Sequence, residues 1–316
     1  MFFTNETLTN ITVGQQNQLF LEIVFSCIVT TLTCCVFLFI NATMLFTLRS
    51  KPVFGQTSRY ILLYNLLFAD TLQMAQSQVM FLLSACRITL LYPICGVLVS
   101  LATLLTLISP LTLVAMSLER YVAVCYPLRH AAIITVRNTA LAVCVVWTIS
   151  LLNVLIEVVL MLRVRFQDLL HLQMEYSCNK EKLTLDPISD LYAKAFSYFL
   201  FVLAAGAFIF SYIGVTVVAQ SASTDKGSAE KARKTLVLHL VQLGLSVSST
   251  IHNPIFVFIY KTVDSVIVVR IRVVIYLCII ILPRCLSSFI YGLRDHTIRP
   301  VLMLNLRCQW KCQPFL

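Results

Sequence analysis

The stretch AMSLERYVAVCYPLRH, residues 115–130, decides how the chain is read. Glu119 and Arg120 stand side by side in it. Immediately before them runs CGVLVSLATLLTLISPLTLVAMSL, residues 95–118, without one charged residue. An acid and a base are costly in hydrocarbon but tolerable at its edge, where water and headgroups are near. The pair therefore marks one end of a long apolar helix. The rest of the chain has to say what that helix crosses.

Over 316 residues the chain is 59% hydrophobic and 12% charged, with a mean hydropathy of +0.87. A soluble domain carries roughly 25% charged residues. No globule of this size has interior enough to hide so much apolar surface. A membrane protein is expected. The opening segment MFFTNETLTNITVGQQNQ is polar and has no Lys or Arg. It lacks the basic start and apolar core of a cleavable signal, so the first span is expected to act as its own targeting signal. Cys34, Cys35, Cys125, Cys144, Cys278 and Cys285 lie in apolar runs and read as small buried hydrophobes. No Cys or His spacing suits zinc, so neither metal nor cofactor is expected. The five histidines are scattered, with no cluster that an enzyme would need.

A spanning helix needs about 20 mostly apolar residues. Seven runs qualify, at 20–48, 58–84, 93–125, 139–162, 190–220, 234–260 and 266–291. The fold class is thus all-α, a seven-helix membrane bundle. A polar tail over 1–19 is expected outside, the bundle over 20–291, and an inner segment over 292–316. With the N-terminus outside, the inner loops and tail hold fourteen bases and four acids, and the outer side nine bases and seven acids. Bases on short inner loops set orientation. The net charge of +10 is explained that way and does not call for nucleic acid. Asn5-Glu6-Thr7 and Asn10-Ile11-Thr12 are glycosylation acceptors on the outer side. Asn41-Ala42-Thr43 fits the same pattern but falls within a span, so it stays bare. The chain has no two matching halves of the kind inverted-repeat transporters show.

Seven spans, an outer N-terminus and Glu119-Arg120-Tyr121 at the inner end of the third helix resemble the rhodopsin-like G-protein-coupled receptors. MSLERYVAVCYPLRH looks like the odorant-receptor version of that motif. KARKTLVLHL (231–240) resembles the start of the sixth helix in those receptors, and PRCLSSFIYGLRD (283–295) the end of the seventh. TSRYILLYNLLFAD (57–70) adds a likeness to fish-type odorant receptors. The tryptophan that many non-olfactory relatives place in the sixth helix is absent, and SVSSTIHNP occupies that region.

The resemblance implies a small-molecule odorant as ligand and a heterotrimeric G protein as partner, of the stimulatory type that raises cyclic AMP, at the plasma membrane. Arg120 would contact the G protein in the active state, Glu119 would hold it at rest, and Tyr212 and Tyr291 would meet Arg120 on activation. An ordinary interfacial ion pair is the alternative. Cys95 and Cys178 would form a disulfide on the oxidising outer face, with Cys86 a rival partner. A receptor for an amine, lipid or peptide is the alternative function, and a transporter a more distant one.

Asp70 lies mid-span, where an acid is a functional hypothesis by default. In relatives its counterpart binds sodium with a serine, here Ser109, and an Asn on the seventh helix. Here Ser287-Ser288-Phe289-Ile290-Tyr291 stands where the family has Asn-Pro-x-x-Tyr. Arg284 lies close by, so an Asp70–Arg284 salt bridge is expected in place of the ion, since opposite charges are buried better together. Water or backbone carbonyls could instead receive Arg284. Thr103, Thr106, Asn153, Glu157, Phe196, Leu200, Thr250, His252 and Asn253 fall at the depth of the family's ligand pocket. For each, helix–helix packing is the competing reading. GLRDHTIRPVLMLNL reads as a short amphipathic helix along the inner surface, touching membrane lipid. Cys308 and Cys312 after it are palmitoylation candidates.

Overall fold

In bilayer hydrocarbon no water is at hand for backbone N–H and C=O groups, so each span has to bond its backbone internally. The computed structural model does this with helices. The structure describes residues 3–165, 173–174, 178, 187–221, 230, 233–234, 236–238, 240–241, 244, 265–295 and 297–311. The first helix is Phe3–Ser50, the second Ser58–Ala85, the third Tyr92–Cys125, the fourth Val136–Arg165 and the fifth Pro187–Ser221. The sixth span lies mostly outside the described residues; those described between Glu230 and Gly244 are helical. The seventh helix runs from Ser265 through a π-helical segment, Tyr276–Ile281, to Arg294. Its π turns end just before Leu282 and Pro283. Proline has no N–H to give the ladder, and the wider turns take up that break.

Among the described residues, five helices are long and apolar enough to cross a membrane: Gln16–Ser50, Tyr92–Cys125, Val136–Leu162, Pro187–Val218 and Ile267–Gly292. The second helix is long enough at 28 residues but more polar. Asp70, Gln73, Gln76 and Gln78 are all buried in it. It packs against both the first and the third helix, which shield those groups from lipid. On the outside of the bundle Phe25, Leu32, Val36, Val97, Val159 and Val202 are exposed, as a lipid-facing surface requires.

An inner core joins Met44, Leu63, Leu66, Leu67, Leu113, Met116, Phe208 and Tyr291. A second, nearer the outer side, joins Cys34, Met74, Phe81, Tyr276 and Ile281. Leu236 of the sixth span is buried against Val215 and Val124. The second helix closes in a left-handed turn. Arg87 takes φ 52°, and the Ile88 N–H reaches back to the Leu83 carbonyl at 3.0 Å.

At the end of the bundle where the third helix begins, Leu90 and Leu91 pair antiparallel with Met174 and Gln173. A disulfide joins Cys95 to Cys178, while Cys86 is free and exposed. The long outer loop is therefore tied to the start of the third helix twice. Two boundaries differ from the sequence reading. The helix that carries the first span begins at Phe3, so it also includes the polar stretch before the span. The seventh helix keeps Gly292, Leu293 and Arg294, the chain extends at Asp295, and the last helix is Ile298–Lys311. The break falls at Asp295 because its side chain caps the next helix, as described below.

Candidate functional site

The C-terminal end of the third helix holds the adjacent acid and base. Arg120 Nε lies 3.2 Å from Glu119 Oε2. The other Glu119 oxygen faces His130 Nε2 at 3.8 Å, from the short helix Pro127–Ile133. Glu119 is 6% exposed, so both side chains approach a carboxylate that water barely reaches. A guanidinium offers five donors. Arg120 Nη2 is buried and has no hydrogen-bond partner among the described residues. Next to it, the Tyr121 ring packs on Phe210, 4.8 Å between centroids, and against Gly214. Any Cβ at Gly214 would overlap that ring.

Tyr291 is 2% exposed within the inner core, and the Arg59 guanidinium sits 5.1 Å from its ring centroid. Arg59 Nη2 is paired with Asp295 Oδ2 at 2.9 Å. Asp295 Oδ1 accepts from the Tyr60 hydroxyl at 3.3 Å, and from the Thr297 and Ile298 N–H groups at 2.9 and 3.3 Å. One carboxylate thus caps the last helix and anchors the start of the second. Tyr212 lies on an exposed face of the fifth helix, 39% accessible.

Mid-membrane, Arg284 Nη1 lies 3.1 Å from Asp70 Oδ1. Ser109 donates to that same oxygen at 2.5 Å. Asp70 is fully buried and Arg284 is 2% exposed. Of the readings open for Asp70, this geometry is the ion pair. Asn41 supports it from the first helix. Its Nδ2 donates to the Arg284 carbonyl at 3.2 Å, and its Oδ1 accepts from Ser288 at 2.5 Å. Ser287 is buried beside them. Below this cluster Asn65 donates to Thr112 at 2.9 Å and accepts from Trp147 Nε1 at 2.8 Å.

Further out, Gln73 Nε2 donates to Thr106 Oγ1 at 2.6 Å, and Gln76 Nε2 donates to the Leu98 carbonyl. The Thr103 hydroxyl returns to the Val99 carbonyl at 3.0 Å. Between the fourth and fifth helices, Asn153 donates to Glu157 at 3.1 Å and accepts from the Tyr192 hydroxyl at 3.1 Å. Tyr192 stacks on Phe196, 6.0 Å between centroids, and Leu200 is half-buried one turn along. The structure therefore gathers Asn153, Glu157 and Phe196 around Tyr192. Thr103 and Thr106 lie on the third helix. Thr250, His252, Asn253 and Cys312 fall outside the described residues, as do the side chains of Asn5, Asn10 and Cys308.

Sequence reasoning did not single out Asn41, Arg59, Gln73, Gln76, Tyr192 or Asp295 as site residues. The readable signal was the run of amides at helical spacing inside an apolar span, each of which needs a partner.

A family model described as 7 transmembrane receptor (rhodopsin family) matches residues 41–291. Odorant receptor 131-2 of Danio rerio is 32% identical over 262 residues, which cover 82% of this chain and 79% of the relative. Olfactory receptor 8A1 of Homo sapiens is 28% identical over 203 residues, 62% of this chain and 59% of that protein.

Proposed function

The chain belongs to the rhodopsin family of seven-transmembrane receptors, and on that premise we propose that it is an odorant-type chemosensory receptor coupled to a heterotrimeric G protein. Its membrane-spanning helices and its odorant-receptor relatives support this reading. The N-terminus faces outside. A small apolar molecule with a polar group enters between the outer halves of the third to sixth helices, where Thr103, Thr106, Asn153, Glu157, Phe196, Leu200, Thr250, His252 and Asn253 contribute. It acts by binding the active state more tightly than the resting one.

The observation that carries the reading is the inner ion pair. Glu119 holds Arg120 at 3.2 Å, yet Arg120 keeps a buried N–H group without a partner among the described residues. An arginine so held can exchange an internal carboxylate for acceptors on an inserted protein. Tyr212 and Tyr291 meet Arg120 in the active state, beside Tyr121. Asp70, Ser109, Arg284 and Ser287 form a polar switch between the second, third and seventh helices. The G protein is of the stimulatory type and raises cyclic AMP.

The test is cyclic AMP in cells expressing the chain with an export chaperone and an olfactory-type G protein, challenged with waterborne odorants. A response is expected in the parent chain. It is expected to vanish in Arg120→Ala at equal surface level. A response that survives Arg120→Ala would remove Arg120 from the coupling role.

A further inference from the structure

Gln73 and Gln76 on the second helix are 7% and 8% exposed. In each amide the nitrogen is committed. Gln76 Nε2 donates to the Leu98 carbonyl, which can only accept. Gln73 Nε2 donates to Thr106 Oγ1, whose own proton goes to the Ala102 carbonyl at 2.8 Å. Gln76 cannot flip without setting its oxygen against that carbonyl, and Gln73 keeps its orientation while the Thr106 proton stays on Ala102. In this arrangement each Oε1 faces away from its amide's partner, and neither has a hydrogen-bond donor among the described residues.

A buried acceptor left unmet is expensive, and native interiors hold few of them. Here two stand at i and i+3, neighbours on one helix face. Asp70, a further turn along, makes no hydrogen bond to either oxygen and is paired with Arg284. The two glutamines thus present neutral acceptors beside Thr106, at the depth of the ligand site.

We propose that Gln73 Oε1 and Gln76 Oε1 form a second-helix wall of the ligand site that takes the hydrogen-bond-donating head group of an otherwise apolar small molecule, a hydroxyl or an ammonium. This rests on the reading that the ligand lies in the outer half of the bundle. A ketone, ester or ether of the same shape leaves both acceptors unmet. Sites built to bond an O–H or N–H reject analogues that lack it far more strongly than apolar pockets reject a change of size.

The test needs neither ligand nor G protein. Gln76→Cys in the full chain at the cell surface is reacted with two methanethiosulfonates, one carrying an ethylammonium group and one a methyl group. The parent chain subtracts the native thiols. Leu72→Cys, on an exposed face of the same helix, reports reactivity from the lipid side. Relative to free cysteine, the ethylammonium-to-methyl rate ratio at Gln76→Cys is expected to rise about tenfold, the equivalent of one hydrogen bond. Adding Gln73→Met, which removes the remaining acceptor without changing charge, is expected to return the ratio to the free-thiol value. No labelling above that of Leu72→Cys overturns the proposal. So does a ratio indifferent to Gln73→Met, which would mean that water alone meets these acceptors. Should Gln76→Cys fail to reach the surface, Gln73→Cys with Gln76→Met poses the same question. A silent cyclic AMP screen leaves this result intact, so the two readings fail separately.

Discussion

Removing either charge of the Asp70–Arg284 pair leaves the other alone in the middle of the membrane. Both side chains are almost wholly enclosed, and breaking a buried pair costs about 3–5 kcal/mol. Arg284→Met and Asp70→Asn are each expected to lower the melting temperature of the detergent-solubilised receptor. The double variant, which leaves no lone charge, is expected to recover most of the loss. A double variant no better than the worse single would show that the two charges are not stabilised by one another. At this scale the sequence is legible where a residue is costly by itself. Asp70 and Arg284 stand out because a charge inside a span demands a reason. Asn41 does not. In the sequence it reads only as a glycosylation pattern buried in the first span. Its hydrogen bonds to Arg284 and Ser288 join residues more than 240 positions apart, a pairing that no local pattern encodes.

At the scale of elements, the third and fifth helices approach closely at one point. Gly214 has no side chain, and Tyr121 fills the space one would occupy. Gly214→Ala is expected to displace the ring and destabilise the receptor by about 1–3 kcal/mol, the usual range for overpacking. Tyr121→Ala in the same chain should make Gly214→Ala nearly silent, and equal losses in both backgrounds would refute the contact. A second junction lies where the seventh helix meets the last. Asp295 caps Ile298–Lys311 and pairs with Arg59. Asp295→Asn keeps a capping oxygen and loses the charge, while Asp295→Ala loses both. The alanine variant is expected to melt lower, by roughly 1 kcal/mol of cap, and the difference between the two variants isolates that cap. Hydropathy located the helices of this bundle because each must bury its backbone polar groups within itself. It did not locate the break at Asp295, which depends on a side chain reaching forward to two N–H groups. Nor did it reveal the π turns at Tyr276–Ile281, where Pro283 gave the only hint. The second helix shows the opposite limit. Its glutamines read as lowered hydropathy, and only their partners on the first, third and seventh helices show that they face inward.

For the whole molecule, the sidedness of Lys and Arg predicts that the N-terminus lies outside. It follows that the cysteines flanking the outer loop meet an oxidising medium. The resemblance implies a Cys95–Cys178 bridge, with Cys86 a rival by its position near the outer surface. The structure joins Cys95 to Cys178, 83 residues apart, and leaves Cys86 free. Closing a loop of that length in a free chain would contribute on the order of 4 kcal/mol. In an inserted receptor the spans between the two cysteines already restrict the loop. A loss nearer 2 kcal/mol is therefore expected on breaking the bond. Cys95→Ala and Cys178→Ala should lower surface abundance and melting temperature by the same amount. The double variant should be no worse than either, because both remove a single bond. Cys86→Ala should match the parent chain, and reductant should bring the parent down to the level of the variants. If Cys86→Ala cost as much as Cys95→Ala, the outer loop would be tied down through a different bridge.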